Sequence, residues 1–294
     1  MRILIVGKNS YVGKSVYDYF LKTHPDVTTD VISSRNHEWE KVSFHNYDAV
    51  YNVAGLCHAD SKHGTPEMYR EINTDLPIQI AKKAKKEHVK LFIQMSSTII
   101  YGNMSLIGEE KYIDEYTPPT PINVYGESKL NAEKGLLELE DETFGIVILR
   151  CPLIYGENAR DNFPRLVKFA KTMPLFPNIE NKQSMIYVDN LAELIHLITK
   201  TNKRGIYMPQ DEDYICTSKL VKDIATASGR NLFLTRVFNP IIRLFSKKIY
   251  FFNKVFGSVA YKMEISNYFQ GDYRVVDYDE AIRKIAIGEN KWEK

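Results

Sequence analysis

The sequence predicts an α/β fold: a doubly wound parallel sheet with a smaller C-terminal α/β lobe. Three observations predict it. Short continuous apolar runs alternate with helical patterns through the first half of the chain. The first run ends on a glycine turn that opens a helix, and the alternation loosens after about residue 155. Strands that are apolar without interruption are buried on both faces, as in a parallel sheet covered by helices on either side.

Each element follows in order. "RILIV" (2–6) is a buried strand ending at Gly7, and "YVGKSVYDYFLKTH" (11–24) spaces Val12, Val16, Tyr19 and Phe20 as a helix does. "DVIS" (30–33), "AVYNVA" (49–54) and "KLFIQMS" (90–96) are further strands. "PIQIAKKAKKEH" (77–88) reads as an amphipathic helix with a lysine-rich wet face, and "GIVILR" (145–150) as another strand. Right-handed crossovers should join them. Beyond, "KTMPLFPNIENK" (171–182) reads as loop because of its two prolines. "SMIYVDNLAELIHLITK" (184–200) is a strand and a helix capped near Asp189 or Asn190, and "TSKLVKDIATASG" (217–229) is a capped helix. The segment 239–261 is basic and aromatic at once. It reads as an amphipathic helix or lid of the second lobe, with a membrane-surface helix as the alternative.

The bulk numbers exclude several classes. A net charge of +2 over 294 residues gives no support to a broad nucleic-acid surface. Three scattered cysteines (Cys57, Cys151, Cys216) without a CxxC read as reduced thiols, which points to the cytoplasm. "MRILIVGK" is too short an apolar run for a signal peptide. No apolar stretch approaches the roughly 20 residues needed for a membrane span. No histidine/carboxylate spacing suggests a metal site.

"ILIVGKNSYVGKS" is a strand, a glycine turn and a helix start. Gly7 lets the chain turn sharply, Gly13 lets the helix pack closely, and the free N–H groups of the helix start suit a pyrophosphate. Ser10 stands at the middle position of the usual glycine trio. A plain strand–turn–helix would explain two glycines equally well, but the loop follows the first strand of an alternating chain, as a Rossmann-type dinucleotide site requires. The second strand ends in Ser33, Ser34 and Arg35 instead of an acid. Arg35, with Lys8, would pair with a 2′-phosphate and so favours NADP over NAD, unless Arg35 is simply a solvated loop residue.

"INVYGESKLNAEKG" (122–135) sets Tyr125 and Lys129 one helical turn apart on one face. The ammonium would favour the phenolate of a tyrosine whose reference pKa is about 10. The same spacing recurs at Tyr250 and Lys254, so the pair alone proves little. "FIQMSSTIIYG" (92–102), however, delivers Ser96, Ser97 and Thr98 to a strand end, where open α/β sheets bind ligands.

These pieces, in the order "GKNSYVG", "DAVYNVAG", "NTDLP", "SSTIIYG", "YGESK", "LRCPLIYG" and "MIYVDNLAELI", resemble the extended short-chain dehydrogenase/reductases of the NAD-dependent epimerase/dehydratase group. The resemblance runs to about residue 200 and more loosely to the end. It implies a dinucleotide-binding Rossmann domain at 1–155 and a substrate lobe at 156–294, with roughly 184–208 returning to the sheet. It implies that Tyr125 exchanges a proton with the sugar and that Lys129 binds the nicotinamide ribose and lowers the tyrosine pKa. Ser97 should hydrogen-bond the reacting oxygen, with Ser96 as the alternative. NAD or NADP should lie against Gly7, Asn9, Ser10, Tyr11, Val12, Gly13, Ser34, Arg35, Val53, Ala54, Gly55, Asn73, Ser96, Tyr125, Lys129 and Pro152. Ser97, Thr98, Tyr125 and Asn162 should meet the sugar nucleotide, and His58 should lie near the rim, either as a structural residue or as a substrate contact. Gln183 stands where relatives often carry arginine.

The resemblance implies a UDP-hexose 4-epimerase working through a transient 4-keto sugar. An NADPH-dependent 4-keto-sugar reductase is the second reading, and a non-catalytic dinucleotide-binding sensor the third. It also implies a homodimer. A dehydratase fits less well, because "SSTII" lacks the Asp-Glu pair such enzymes place after the hydroxyl residue.

Overall fold

A computed structural model describes residues 1–56, 64–102, 104–160, 163–246 and 248–288. The chain divides into two compact units. The first comprises Met1–Asn103, Pro118–Pro152 and Val188–Pro209, and the second Met104–Thr117, Leu153–Tyr187 and Gln210–Lys294.

The first unit is built on six parallel strands: β1 (Arg2–Val6), β2 (Thr28–Ile32), β3 (Ala49–Asn52), β4 (Leu91–Ser97), β5 (Gly145–Cys151) and β6 (Gly205–Tyr207). Their order is β2-β1-β3-β4-β5-β6. The direction of winding reverses between β1 and β3, which opens a crevice at their carboxyl ends. Four principal helices accompany them: α1 (Tyr11–Thr23), α2 (Leu76–Lys86), α3 (Val124–Leu137) and α4 (Val188–Thr201). Alternation along each strand fills both faces. Leu4, Val6, Val50 and Phe92 join Trp39, Phe44, Ile80 and Leu136 in one cluster. Ile3, Ile5, Tyr51 and Ile93, the residues between, are just as buried. Continuous apolar runs are therefore what a doubly covered sheet demands.

The second unit has short elements. Leu153–Tyr155 pairs with Met185–Tyr187, Glu110–Ile113 with Ser258–Tyr261, and Leu175–Pro177 with Phe233–Thr235, all in parallel. The last pair corrects the expectation of loop at 171–182. Pro177 can end a strand because it has no neighbour on its N–H side to lose. The segment 184–208 serves both units: Gly205–Tyr207 closes the six-stranded sheet, whereas Met185–Tyr187 pairs outside it. α4 begins at Val188, so Asp189 and Asn190 lie inside its first turn and do not cap it. The basic and aromatic segment forms two helices, Asn239–Ser246 and Tyr250–Phe256, followed by the strand Ser258–Tyr261.

Candidate active site

The glycine loop leaves β1 through Gly7, whose φ of +136° excludes other residues at little cost only to glycine. A Cβ there would lie 2.9 Å from Val53 Cγ1, and one on Gly13 would lie 3.0 Å from the same atom. Val53 and the two glycines thus hold the loop and the start of α1 against the end of β3. Ser10 acts as the N-cap of α1, its hydroxyl accepting the Gly13 N–H at 3.2 Å. This explains a serine at the position usually held by the middle glycine: it satisfies one of the helix's free donors. The first turn of α1 holds no acidic residue, so its partial positive charge stays open to an anion.

Arg35 is exposed after β2, and its backbone N–H is held by the Ser33 hydroxyl at 3.0 Å. The following residues, Asn36 and His37, take positive φ. This Ser33 turn fixes Ser34 and Arg35 at the carboxyl end of the second strand.

Tyr125 and Lys129 both lie on α3, which starts at the Asn123 cap. Lys129 Nζ is 6.0 Å from the centre of the Tyr125 ring. Tyr125 is half-buried, whereas Lys129 is 5% exposed and donates to the Met95 carbonyl at 3.3 Å. A nearly buried ammonium is costly unless partnered. Its surroundings are polar: a Cβ on Gly55 would fall 3.1 Å from both Lys129 Nζ and Asn73 Oδ1. Gly55 therefore leaves a cradle of backbone and polar groups beside the ammonium.

Asn73 sits in a π-helical turn, Glu71–Asp75. Its amide bonds both backbone groups of Leu56, at 2.7 and 3.0 Å, and the Ser128 hydroxyl at 3.1 Å. Ser128 in turn donates to the Tyr125 carbonyl at 2.8 Å. One side chain thus ties the loop after β3 to the first turn of α3. π-turns concentrate at functional sites.

Ser97 ends β4 and is half-buried, its hydroxyl accepting the Ile99 N–H at 3.3 Å as cap of the Thr98–Tyr101 turn. Ser96 differs. It is 3% exposed and donates to the buried Glu133 carboxylate. Its hydroxyl is thereby committed below the site, which leaves Ser97 as the candidate for the reacting oxygen.

Glu133 and Arg150 were not legible from sequence. The carboxylate of Glu133, one turn beyond Lys129, takes the guanidinium of Arg150 at 2.7 and 3.1 Å, and Arg150 also donates to the Tyr101 hydroxyl at 2.7 Å. Burial would lower the Arg150 pKa, and the Glu133 carboxylate more than offsets this, so the guanidinium holds its proton more tightly than usual. The strand register sets Ser96 directly beside Arg150. A glutamate four residues after the lysine, on a face otherwise buried, was the available signal.

Neighbouring Pro152 is buried. Burial pushes the Cys151 thiol well above its ordinary pKa, more than nearby Lys129 lowers it, so it offers no thiolate. Gln183 is buried in the second unit and donates to the Gly257 carbonyl at 3.0 Å, anchoring the end of a helix there. Asn162, Cys57 and His58 lie outside the described residues.

Among the described residues, His24, Glu193 and His196 are the one trio whose ligating atoms approach within 4.8 Å. Sequence spacing did not suggest it, because His24 comes from the end of α1 and the other two from α4. The imidazoles are stacked, 3.7 Å between centres and 12° from parallel. Two nearly parallel ring planes cannot share one ion in both planes, and Glu193 already accepts from Tyr19 at 2.8 Å and pairs with His24 at 2.6 Å. Tyr19, His24 and Glu193 form a hydrogen-bonded clasp between α1 and α4, and His196 stacks on it through the His24 ring.

The residues around the glycine loop, Gly55, Asn73 and Lys129 fit a dinucleotide: an open helix N-terminus for phosphate, a cradle free of Cβ atoms, and an ammonium within it. Comparison with known proteins agrees. Residues 3–208 match the model of the NAD dependent epimerase/dehydratase family. A UDP-glucose 4-epimerase of Vibrio cholerae is 30% identical over 229 residues, 75% of this chain and 69% of its own length. An Escherichia coli O157:H7 protein, N-acetyl-alpha-D-glucosaminyl-diphospho-ditrans,octacis-undecaprenol 4-epimerase, is 25% identical over 78% of this chain and 73% of its own. Among solved structures, a UDP-glucuronic acid 4-epimerase from Bacillus cereus in complex with NAD has a TM-score of 0.74 at 16% identity, covering 97% of this chain and 95% of its own. The RMD protein of Pseudomonas aeruginosa with NADPH has a TM-score of 0.73 at 16% identity, covering 97% and 98%. At such identity the structures establish the shared Rossmann-type fold. With the family model spanning most of the chain, the sequence motifs and the comparisons converge: the chain belongs to the NAD-dependent epimerase/dehydratase family, of the extended short-chain dehydrogenase/reductase type.

Proposed function

We propose that the chain is an NAD(P)-dependent nucleotide-sugar 4-epimerase acting on a UDP-hexose, UDP-glucose or UDP-N-acetylglucosamine. The observation that carries this reading is the buried Lys129 ammonium one turn from Tyr125, beside the Gly55–Asn73 cradle. Tyr125 takes the proton of the sugar C4 hydroxyl and later returns it, while the Ser97 hydroxyl holds the same oxygen. Lowering a phenol pKa from about 10 to about 7 needs roughly 4 kcal/mol of differential stabilisation, which Lys129 and a second positive charge in a partly dry site can supply. The bound dinucleotide supplies reversible hydride acceptance. The chain's own task is to orient the sugar and move the proton. The sugar must turn over as the 4-keto form before Tyr125 reprotonates it.

A 4-keto-sugar reductase is the second reading, favoured by Arg35 at the end of β2. It would draw on NADPH. The sugar's diphosphate has two conceivable carriers, a nucleotide and a membrane lipid. The Vibrio relative is named for the first and the Escherichia coli relative for the second. We expect a cytoplasmic homodimer.

Proton NMR of the purified protein with each UDP-sugar and no added reductant tests the proposal. A galacto-configured product without net change in dinucleotide oxidation state supports the epimerase. No product from either sugar, with turnover of a 4-keto sugar on NADPH, replaces it with the reductase.

A further inference from the structure

The forty residues from Ile224 to Met263 contain no Asp or Glu and seven Lys or Arg, in a chain whose net charge is only +2. This run includes the helix Asn239–Ser246 in the second unit. Only Ile242 and Ser246 of that helix are buried. Its outward face is not polar. Ile241 is 58% exposed and Leu244 70%, with Phe245 on the same stripe at i+3 and i+4. Val237 and Phe238 extend the stripe before the helix, and Ile249 and Phe251 after it, all exposed.

A helix on the surface of a water-soluble domain turns its apolar stripe inward. Here one isoleucine anchors the helix and the remaining apolar side chains face water. Arg236, Arg243 and Lys248 are exposed around them. Arg236 meets only the exposed Glu180, at 3.5 Å, a weak surface pair. Arg236 and Arg243 also line a cavity of about 930 Å³ in the same unit, together with Glu180 and the Lys182–Glu110 pair, so Arg243 is its one cation without an acid partner among the described residues. Apolar residues rimmed by Arg236, Arg243 and Lys248, with Glu180 the one acid paired to them, match the boundary between acyl chains and anionic headgroups. A second protein chain would leave such a predominantly basic rim unmatched unless it were itself acidic.

We propose that the exposed surface formed by Arg236–Phe238, Ile241, Arg243–Phe245, Lys248, Ile249 and Phe251 docks this protein onto anionic phospholipid bilayers. Docking would bring a lipid-carried substrate within reach, but it stands on the surface alone, whichever sugar carrier the enzyme uses. The helix lies in the headgroup plane; among the described residues no helix is long and apolar enough to cross a membrane.

Vesicle co-sedimentation tests this on the full chain. The probes are phosphatidylcholine vesicles with and without about one-third phosphatidylglycerol, at low and at high salt. The expected result is binding to the anionic vesicles, weakened by salt, with at least about tenfold loss in I241E/L244E and in R243Q/K248Q. Both variants change exposed side chains, so an unchanged melting temperature shows that folding is intact. Three results would overturn the proposal: no binding to either vesicle, binding that neither variant weakens, or a wild-type oligomer that I241E/L244E converts to monomer in sedimentation velocity, which would make the patch an interface between copies. Epimerase turnover is measured separately, so failure to dock and failure of the catalytic reading are distinguishable.

Discussion

Two helices of this chain invert the usual pattern of apolar inside and polar outside, and they do so in opposite senses. α3 buries Ser128, Lys129 and Glu133 while leaving Val124 and Leu137 exposed. The helix Asn239–Ser246 exposes Ile241, Leu244 and Phe245. The difference lies in who completes each pattern. Every buried polar group of α3 finds its partner within the first unit: Ser128 with Asn73, Lys129 with Met95, Glu133 with Ser96 and Arg150. The apolar stripe of the other helix is turned to solvent. Departures from binary patterning cost stability, and proteins retain them at functional positions. A completed departure points to chemistry inside the chain; an uncompleted one points to a partner outside it.

The largest effect should come from the completed site. Tyr125→Phe removes the proposed proton carrier and keeps the ring, so kcat should fall by about 10²–10⁴-fold with the melting temperature and NADH binding retained. Steady-state assay with the UDP-sugar identified by NMR, and fluorescence titration of the cofactor, check it. Unchanged turnover would remove α3 from the mechanism.

Next in size is the buried pair beneath it. Glu133→Ala strands the largely buried Arg150 guanidinium without its carboxylate, and should cost about 3–5 kcal/mol. Chemical denaturation measures it. The double variant Glu133→Leu with Arg150→Met should recover much of that loss, because well-packed apolar replacements of buried ion pairs are often neutral. If the single variant is near neutral, the network is not holding α3 against β4 and β5.

This network also marks the limit of what the sequence discloses. Five of the six strands of the first unit are legible because a doubly covered parallel sheet writes them as apolar runs; the sixth, the three-residue Gly205–Tyr207, is too short to leave such a run. Gly7 and the Ser96–Ser97 strand end are legible because they stand where an apolar run stops, whereas Tyr125 and Lys129 are singled out from the like-spaced Tyr250 and Lys254 only by the order of the surrounding motifs. Glu133 and Arg150 are not, because their pairing depends on the register that sets Ser96 beside Arg150 across two strands distant in sequence. Ser10 as helix cap and the three-residue strand Leu175–Pro177 escaped for a related reason: each is decided by one neighbour and leaves no period. The His24–Glu193–His196 clasp joins the end of α1 to the middle of α4, about 170 residues away in sequence, and only tertiary structure reveals it.

That clasp gives a smaller, pH-dependent effect. The His196 pKa is lowered, first by burial and then by the neighbouring His24, with Lys200 adding to this and Glu193 and Asp26 opposing it. The folded state therefore binds a proton at His196 less readily than the unfolded chain. The contribution is present above the unfolded value of about 6.5 and is lost as pH falls through the lower folded value. Thermal melts from pH 7.5 to 5 should show the wild type losing stability faster than His196→Gln. Parallel curves would mean that His196 titrates alike in both states.

The smallest expected effect is the sharpest test of the comparison. Leu244→Glu should change stability by no more than about 0.5 kcal/mol, since the side chain is 70% exposed and touches little that folding buries. Leu194→Glu, at a position of 0% exposure on α4, should cost far more, on the order of 4 kcal/mol or beyond, because it buries an unpaired charge. The two substitutions are chemically identical, so their difference isolates what each leucine gives to the fold. A large loss at Leu244 in denaturation would mean that the chain itself, or a second copy of it, covers the stripe in solution, and the two helices would then no longer differ in kind. A negligible loss leaves an apolar surface that folding does not need, held in place by Ile242 and ringed by cations, and its retention must then be explained by what it touches outside the chain.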